Sequence, residues 1–179
     1  MLRHGYVASS IQAIAGEAGV AVQTIYNSVG GKADLLAAVL EMAAAGPDAS
    51  AHEPAALRQR VTAARSAPAV IRVLTEWILT VNERTANIFL MVGEAAAVDA
   101  DVAAFERRRA AASLHNFGEA ASSLRALRGL RGGMSDPEAA AAIWAVAHPQ
   151  VYRTLVTELG WSHEAYGDWL EKALRGALA

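Results

Sequence analysis

Cysteine is absent from this chain of 179 residues, and with it go thiolate nucleophiles, disulfides and cysteine zinc sites. The five histidines, at 4, 52, 115, 148 and 163, include no pair spaced four apart to grip a metal from one helix face. Serines are scattered without an adjacent base, and neither a phosphate loop nor a strand-linked dinucleotide turn occurs. Enzymatic activity, a cofactor and a metal are therefore not expected. The run Arg107-Arg108-Arg109 is a candidate anion site, but three consecutive residues point in different directions around a helix, so it reads as a solvated face. What remains is a concentration of hydrogen-bonding side chains near the amino terminus, Gln23, Thr24, Tyr26 and Asn27.

Two short helices position that group. Ser9-Ser10-Ile11-Gln12 carries a hydroxyl three residues before Gln12, a capping-box pattern, and Ile11, Ile14, Ala15 and Ala18 then share a face. Gly19 suits a tight turn needing positive φ, with Val20 as an apolar plug between the helices. A second helix over residues 22–28 turns Ile25 inward and leaves Gln23, Thr24, Tyr26 and Asn27 largely outside. That is the skeleton of a helix-turn-helix.

The ordered set Gly5-Tyr6, Ser9-Ser10, Ile14-Ala15, Ala18-Gly19-Val20, Thr24-Ile25-Tyr26, Lys32 and Leu35-Leu36 resembles the DNA-binding signature of TetR-family transcriptional regulators. Tyr152 to Val156, Gly160-Trp161-Ser162, Tyr166 and Trp169 are similar to the last two helices of many members. The resemblance implies an all-α protein with a helix-turn-helix domain over 1–46 and an antiparallel helical ligand-binding and dimerisation domain over 47–179. It implies that residues 22–28 are a recognition helix lying in the major groove of double-stranded DNA, two protomers reading the halves of a pseudo-palindrome. Tyr26 and Lys32 would then hold phosphates, Gln23 and Asn27 would reach base edges, and Thr24 would touch a thymine methyl or a phosphate.

The chain departs from that pattern in places. Only four residues precede Gly5, where the family has a full first helix, so this helix is read as largely missing from the chain. Ala21 replaces the usual serine cap, and Val29 replaces an aromatic plug with a smaller one. Residues 1–47 hold two cations, Arg3 and Lys32, against three anions, a net −1 that is low for a phosphate-tracking surface.

Helical periodicity continues through the remainder, with no alternating run that suggests a sheet. Glycines and prolines divide it, and residues 46–54 make the best domain boundary. Helices are expected over 57–65, 68–82, 84–97, 102–128, 136–147 and 149–159, with a last one capped by Ser162 that buries Tyr166, Trp169 and Leu170. Ser135-Asp136-Pro137-Glu138 is a complete start signal. Apolar residues, 54% of the chain, are interrupted everywhere by polar ones, and the amino terminus lacks a signal-peptide pattern; a soluble, cytoplasmic protein without membrane contact is expected.

By the same resemblance, the last helices would pair across a two-fold axis, using Trp144, Tyr152, Leu155, Trp161 and Trp169 to form a homodimer. A small-molecule inducer would sit inside the second domain near Trp77, Phe89, Met91, Phe105, Phe117 and Trp144, with Glu94, His115 and His148 as polar partners. The function read from the sequence is thus a repressor released by an inducer. The alternative is a dimeric ligand- or partner-binding protein without DNA recognition, which the acidic balance of residues 1–47 favours.

Overall fold

A computed structural model describes residues 1, 4–47 and 54–179. Every regular element among them is helical. The amino-terminal layer is α1 (Ile11–Ala18), α2 (Val22–Ser28) and α3 (Lys32–Ala45). The second layer is α4 (Pro54–Ala63), α5 (Ala67–Ala96), α6 (Ala100–Ala126), α7 (Asp136–Ala147), α8 (Pro149–Tyr152) and α9 (His163–Leu178). Most of the expected boundary segment, residues 48–53, lies outside the described residues.

Local chemistry accounts for the helix starts. Ser10, rather than Ser9, caps α1, its hydroxyl accepting from Ala13 N at 3.1 Å. Ser9 is buried and donates to Gly5 O at 2.8 Å, so the expected partnership with Gln12 does not form. Gly19 adopts φ 68°, the left-handed cap that lets Val20 N reach back to Ala15 O at 3.0 Å. As Ala21 foretold, α2 has no side-chain cap. Ser135 and Glu138 form the expected reciprocal capping box on α7.

Neither Val20 nor Val29 is the apolar plug that the sequence suggested. Val20 is 42% exposed, because Ile11, Ala15 and Ile25, flanked by Ile14 and Val22, already fill the small core between α1 and α2. Val29 is exposed as well and plugs nothing.

The helices expected over 68–82 and 84–97 are one, α5, of 30 residues and about 45 Å at 1.5 Å per residue. Asn82 looks like a break in sequence because its amide competes with the backbone. In the fold that amide is taken up elsewhere, donating to Ala147 O at 2.9 Å and to the Tyr166 hydroxyl at 3.3 Å. The helix expected over 149–159 changes character after Tyr152. Over Arg153–Glu158 the turns widen, and Leu159 N bonds back five residues to Thr154 O at 3.0 Å.

The main core lies between α5, α6, α7 and α9, where Leu74, Ile78, Leu124, Ile143, Tyr166 and Leu170 are almost wholly buried. Trp169, expected inside, lies partly buried at the edge of this core. Arg131 N donates to Leu178 O at 2.8 Å and ties the α6–α7 turn to the end of α9. Among the described residues no helix is long and apolar enough to cross a membrane, and no group of three or more His, Asp or Glu is placed to hold a metal ion.

Candidate functional site

On α2, Ile25 packs inward on Ile11 and Ala15, while Gln23, Thr24, Tyr26 and Asn27 are exposed. Gln23 Nε2 donates to Asn27 Oδ1 at 2.9 Å, an i,i+4 pair across one helical turn. This leaves Gln23 Oε1 and Asn27 Nδ2 without a hydrogen-bond partner among the described residues, one acceptor beside one donor. An adenine edge in a major groove presents the complementary pair, the N6 donor and the N7 acceptor. Lys32 opens α3 with its ammonium 4.1 Å over the Tyr6 ring, a cation–π contact that orients its stem.

The α1–α2 unit owns only a three-residue core, and the chain connects it to Tyr6 on one side and to α3 on the other. Tyr6, Leu36 and Leu40 pack with Ile88, Met91, Val92 and Ala95 of α5 and Val102 of α6. Two polar contacts cross the same seam. The Tyr6 hydroxyl donates to Asp99 Oδ2 at 2.6 Å, and Arg84 Nη1 donates to Ala45 O at 3.3 Å, where the carboxyl end of α3 favours a cation.

Asp99 also caps α6, accepting from Asp101 N at 3.0 Å and Val102 N at 3.3 Å. The Tyr6 hydrogen bond, helped by these amides and by the Lys32 charge, holds the Asp99 carboxyl below its ordinary value against the opposing effect of burial. Burial, and then Asp99 itself, pushes the Tyr6 phenol well above its own.

Within the second layer the aromatic residues form a chain. Trp77 meets Phe117 edge-on at 6.4 Å, Phe117 lies 6.3 Å from Trp144, and Trp144 lies 5.1 Å from the His148 ring, which also touches Phe89 at 6.1 Å. An interior cavity of about 40 Å³ between α5, α6 and α7 is lined by Trp77, Phe117 and Trp144. A wider cleft of about 260 Å³, lined by Phe89, Trp144 and His148, adjoins it, and the two share Trp144 and Arg109. His148 Nδ1 accepts from Gln150 N at 3.2 Å and caps α8, which leaves the proton on Nε2. Burial, the main cause, and the Arg109 charge lower the His148 pKa against the opposing pull of Glu106.

The other residues expected at a pocket lie elsewhere. Met91 and Phe105 belong to the seam with α3, because they sit on the stretches of α5 and α6 that α3 covers. Glu94 and His115 are exposed and line neither cavity nor cleft. Sequence reasoning missed Arg109. Arg107 and Arg108 are exposed as a solvated run should be, but Arg109 turns inward over Phe89, its Cζ 4.6 Å from the ring centre. The signal was its register: Val102, Phe105, Arg109, Ser113 and Phe117 recur at spacings of three and four, the stripe that faces the bundle. Asn82, the buried amide between α5, α7 and α9, also escaped notice.

Of the residues expected to pair protomers, Tyr152 is buried in the core. Leu155, Trp161 and Trp169 are half-buried, the two indoles edge-on at 6.5 Å, and Leu159, two residues before Trp161, is 63% exposed.

Residues 1–39 match the family model for bacterial regulatory proteins of the tetR family. No curated protein and no solved structure matches the chain.

Proposed function

We propose that this DNA-binding transcriptional regulator of the TetR family is a homodimeric repressor that reads a pseudo-palindromic operator and is released by a small-molecule inducer. The observation that carries the reading is the division of α2, with Ile25 held in the core and Gln23, Thr24, Tyr26 and Asn27 presented outward. In this reading Gln23 and Asn27 contact base edges, Thr24 a thymine methyl or a phosphate, and Tyr26 and Lys32 the phosphate backbone. Residues 1–46 form the DNA-binding domain and 47–179 the sensing and dimerising one. Two copies pair through half-buried Leu155, Trp161 and Trp169 together with the exposed Leu159.

Helix α6 supplies the physical link from sensor to DNA. Its first turn holds Asp99 and Val102 against Tyr6, and farther along the same rod Arg109 borders the cleft. In this reading a ligand that shifts α6 displaces Tyr6 and α3, the two chain segments between which α1 and α2 are carried. Release requires that the ligand bind the two arrangements unequally.

Sedimentation and fluorescence anisotropy test this on the DNA flanking the protein's own gene, at low and moderate salt. The expected result is a dimer in free solution, two protomers per bound site and an affinity that falls steeply with salt. A monomer, or binding indifferent to sequence, contradicts it.

A further inference from the structure

The cleft beside α6 contains a charge without a counter-charge. Arg109 is half-buried, and no carboxylate lies within ion-pair distance of it among the described residues. Its Nε is buried with no hydrogen-bond partner, and so is Trp77 Nε1 in the cavity next to it. Buried donors of this kind are normally satisfied, since leaving one unpaired costs about 1–3 kcal/mol and more for a charged group. Arg109 lines both the cavity and the cleft, so its guanidinium is the unsatisfied donor that a ligand in the cleft meets, and it suits one with acceptor oxygens.

The surroundings narrow the class. The Phe89 ring lies under the guanidinium, and Trp144 and His148 add flat aromatic walls. The charged groups lining the cleft are Glu106 and Arg107, both exposed, and Arg109, a net positive charge with the only half-buried member cationic. Glu41 acts on Arg109 only through its field, opposing the burial that lowers the guanidinium pKa. At about 260 Å³ the cleft falls below the 300–1,000 Å³ typical of drug-sized ligands, so it favours one ring over several.

We infer that the inducer is a small organic acid with a single flat or short apolar body, its carboxylate paired with Arg109 and its body between Phe89, Trp144 and His148. This rests on the regulatory reading above for the word inducer, but the binding site stands on its own geometry. A planar guanidinium matches a carboxylate with two parallel hydrogen bonds, which an uncharged amide reproduces poorly and an ammonium opposes.

The test is titration calorimetry and tryptophan fluorescence on the full chain, with benzoate and phenylacetate as probes beside benzamide and benzylamine. The expected result is that at least one acid binds at least tenfold more tightly than benzamide, that benzylamine does not bind, and that tryptophan emission changes. Arg109→Gln should lower acid affinity at least tenfold and erase the preference over the amide, Arg109→Lys should retain part of it, and Arg107→Gln should change little. Equal binding of acid and amide by the unmodified protein, or no acid binding at all, overturns the proposal without need of any variant. So does an Arg109→Gln protein that binds acid unchanged. None of these readings involves DNA, so a failure here leaves operator binding to be judged separately, and a failure of operator binding leaves the acid site intact.

Discussion

Replacing Tyr6 by Phe removes one hydroxyl and little else. The ring, 4% exposed, keeps its place among Leu36, Leu40 and Val92 and under the Lys32 ammonium. Lost is the 2.6 Å bond to Asp99, the polar tie between the amino-terminal layer and α6. Hydrogen bonds to charged groups contribute about 1.5–3 kcal/mol. Asp99 is partly exposed and retains the amides of Asp101 and Val102, so the lower end, about 1.5 kcal/mol, is expected. For a chain of this size that lowers Tm by about 3–6 °C.

Asp99→Ala also forfeits the α6 cap and should cost about 1 kcal/mol more than Tyr6→Phe. In the double-mutant cycle the coupling should be at least about 1 kcal/mol. The effect is pH-dependent with a fixed sign. Tyr6 holds the Asp99 carboxyl below its ordinary 3.8, so the stability it adds is complete above that value and disappears as pH falls through the lower folded value. Urea unfolding at pH 7 and at pH 3 measures both. A coupling below about 0.3 kcal/mol, within the error of additivity, would refute the role assigned to this contact.

Gly19→Ala meets no neighbouring atom but must adopt φ 68°, a strain of about 1–2 kcal/mol, so circular dichroism and unfolding should show a weakened α1–α2 unit. If stability is unchanged, the turn is not as described. Lys32→Ala should weaken binding to all duplexes alike and reduce the salt slope by about one per protomer, whereas Asn27→Ala should cost about 1–3 kcal/mol on the preferred site only. Anisotropy across salt concentrations and across site variants separates the two. For His148, whose pKa is lowered, the neutral ring is the folded form; stability is complete above about pH 6.5 and falls as pH drops through the lower folded value, since protonation also removes the Nδ1 acceptor that caps α8. His148→Asn keeps an acceptor and cannot titrate, so its unfolding midpoint should overtake the wild type's, relative to pH 8, as pH approaches 5. Parallel curves would contradict the assignment.

Signals that act within a few residues were readable in the sequence. Ser135 with Glu138, Ser162, Gly19 and the uncapped Ala21 each did in the fold what their chemistry dictates. The inward Ile25 and outward Gln23 to Asn27 followed from periodicity alone. What escaped depended on partners far along the chain. Asn82 reads as a helix break until Ala147 and Tyr166 accept its amide, 65 and 84 residues away. Ser9 reads as a cap until the tight turn at Gly5 offers its carbonyl. The triple arginine reads as surface because its two outward members mask the third, which sits in step with Phe105 and Phe117. The tie between Tyr6 and Asp99 spans 93 residues, and no local pattern announces it.

In the proposed function α2 reads DNA as one half of a symmetric pair. Selection of duplexes bound by the full chain from a random-sequence pool tests it most directly. The expected result is enrichment of an inverted repeat whose half-site centres lie about 10–10.5 base pairs apart, or a multiple of that, on one face of the duplex. A recovered pool no different from the starting one, or a lone half-site without its mirror image, would contradict it.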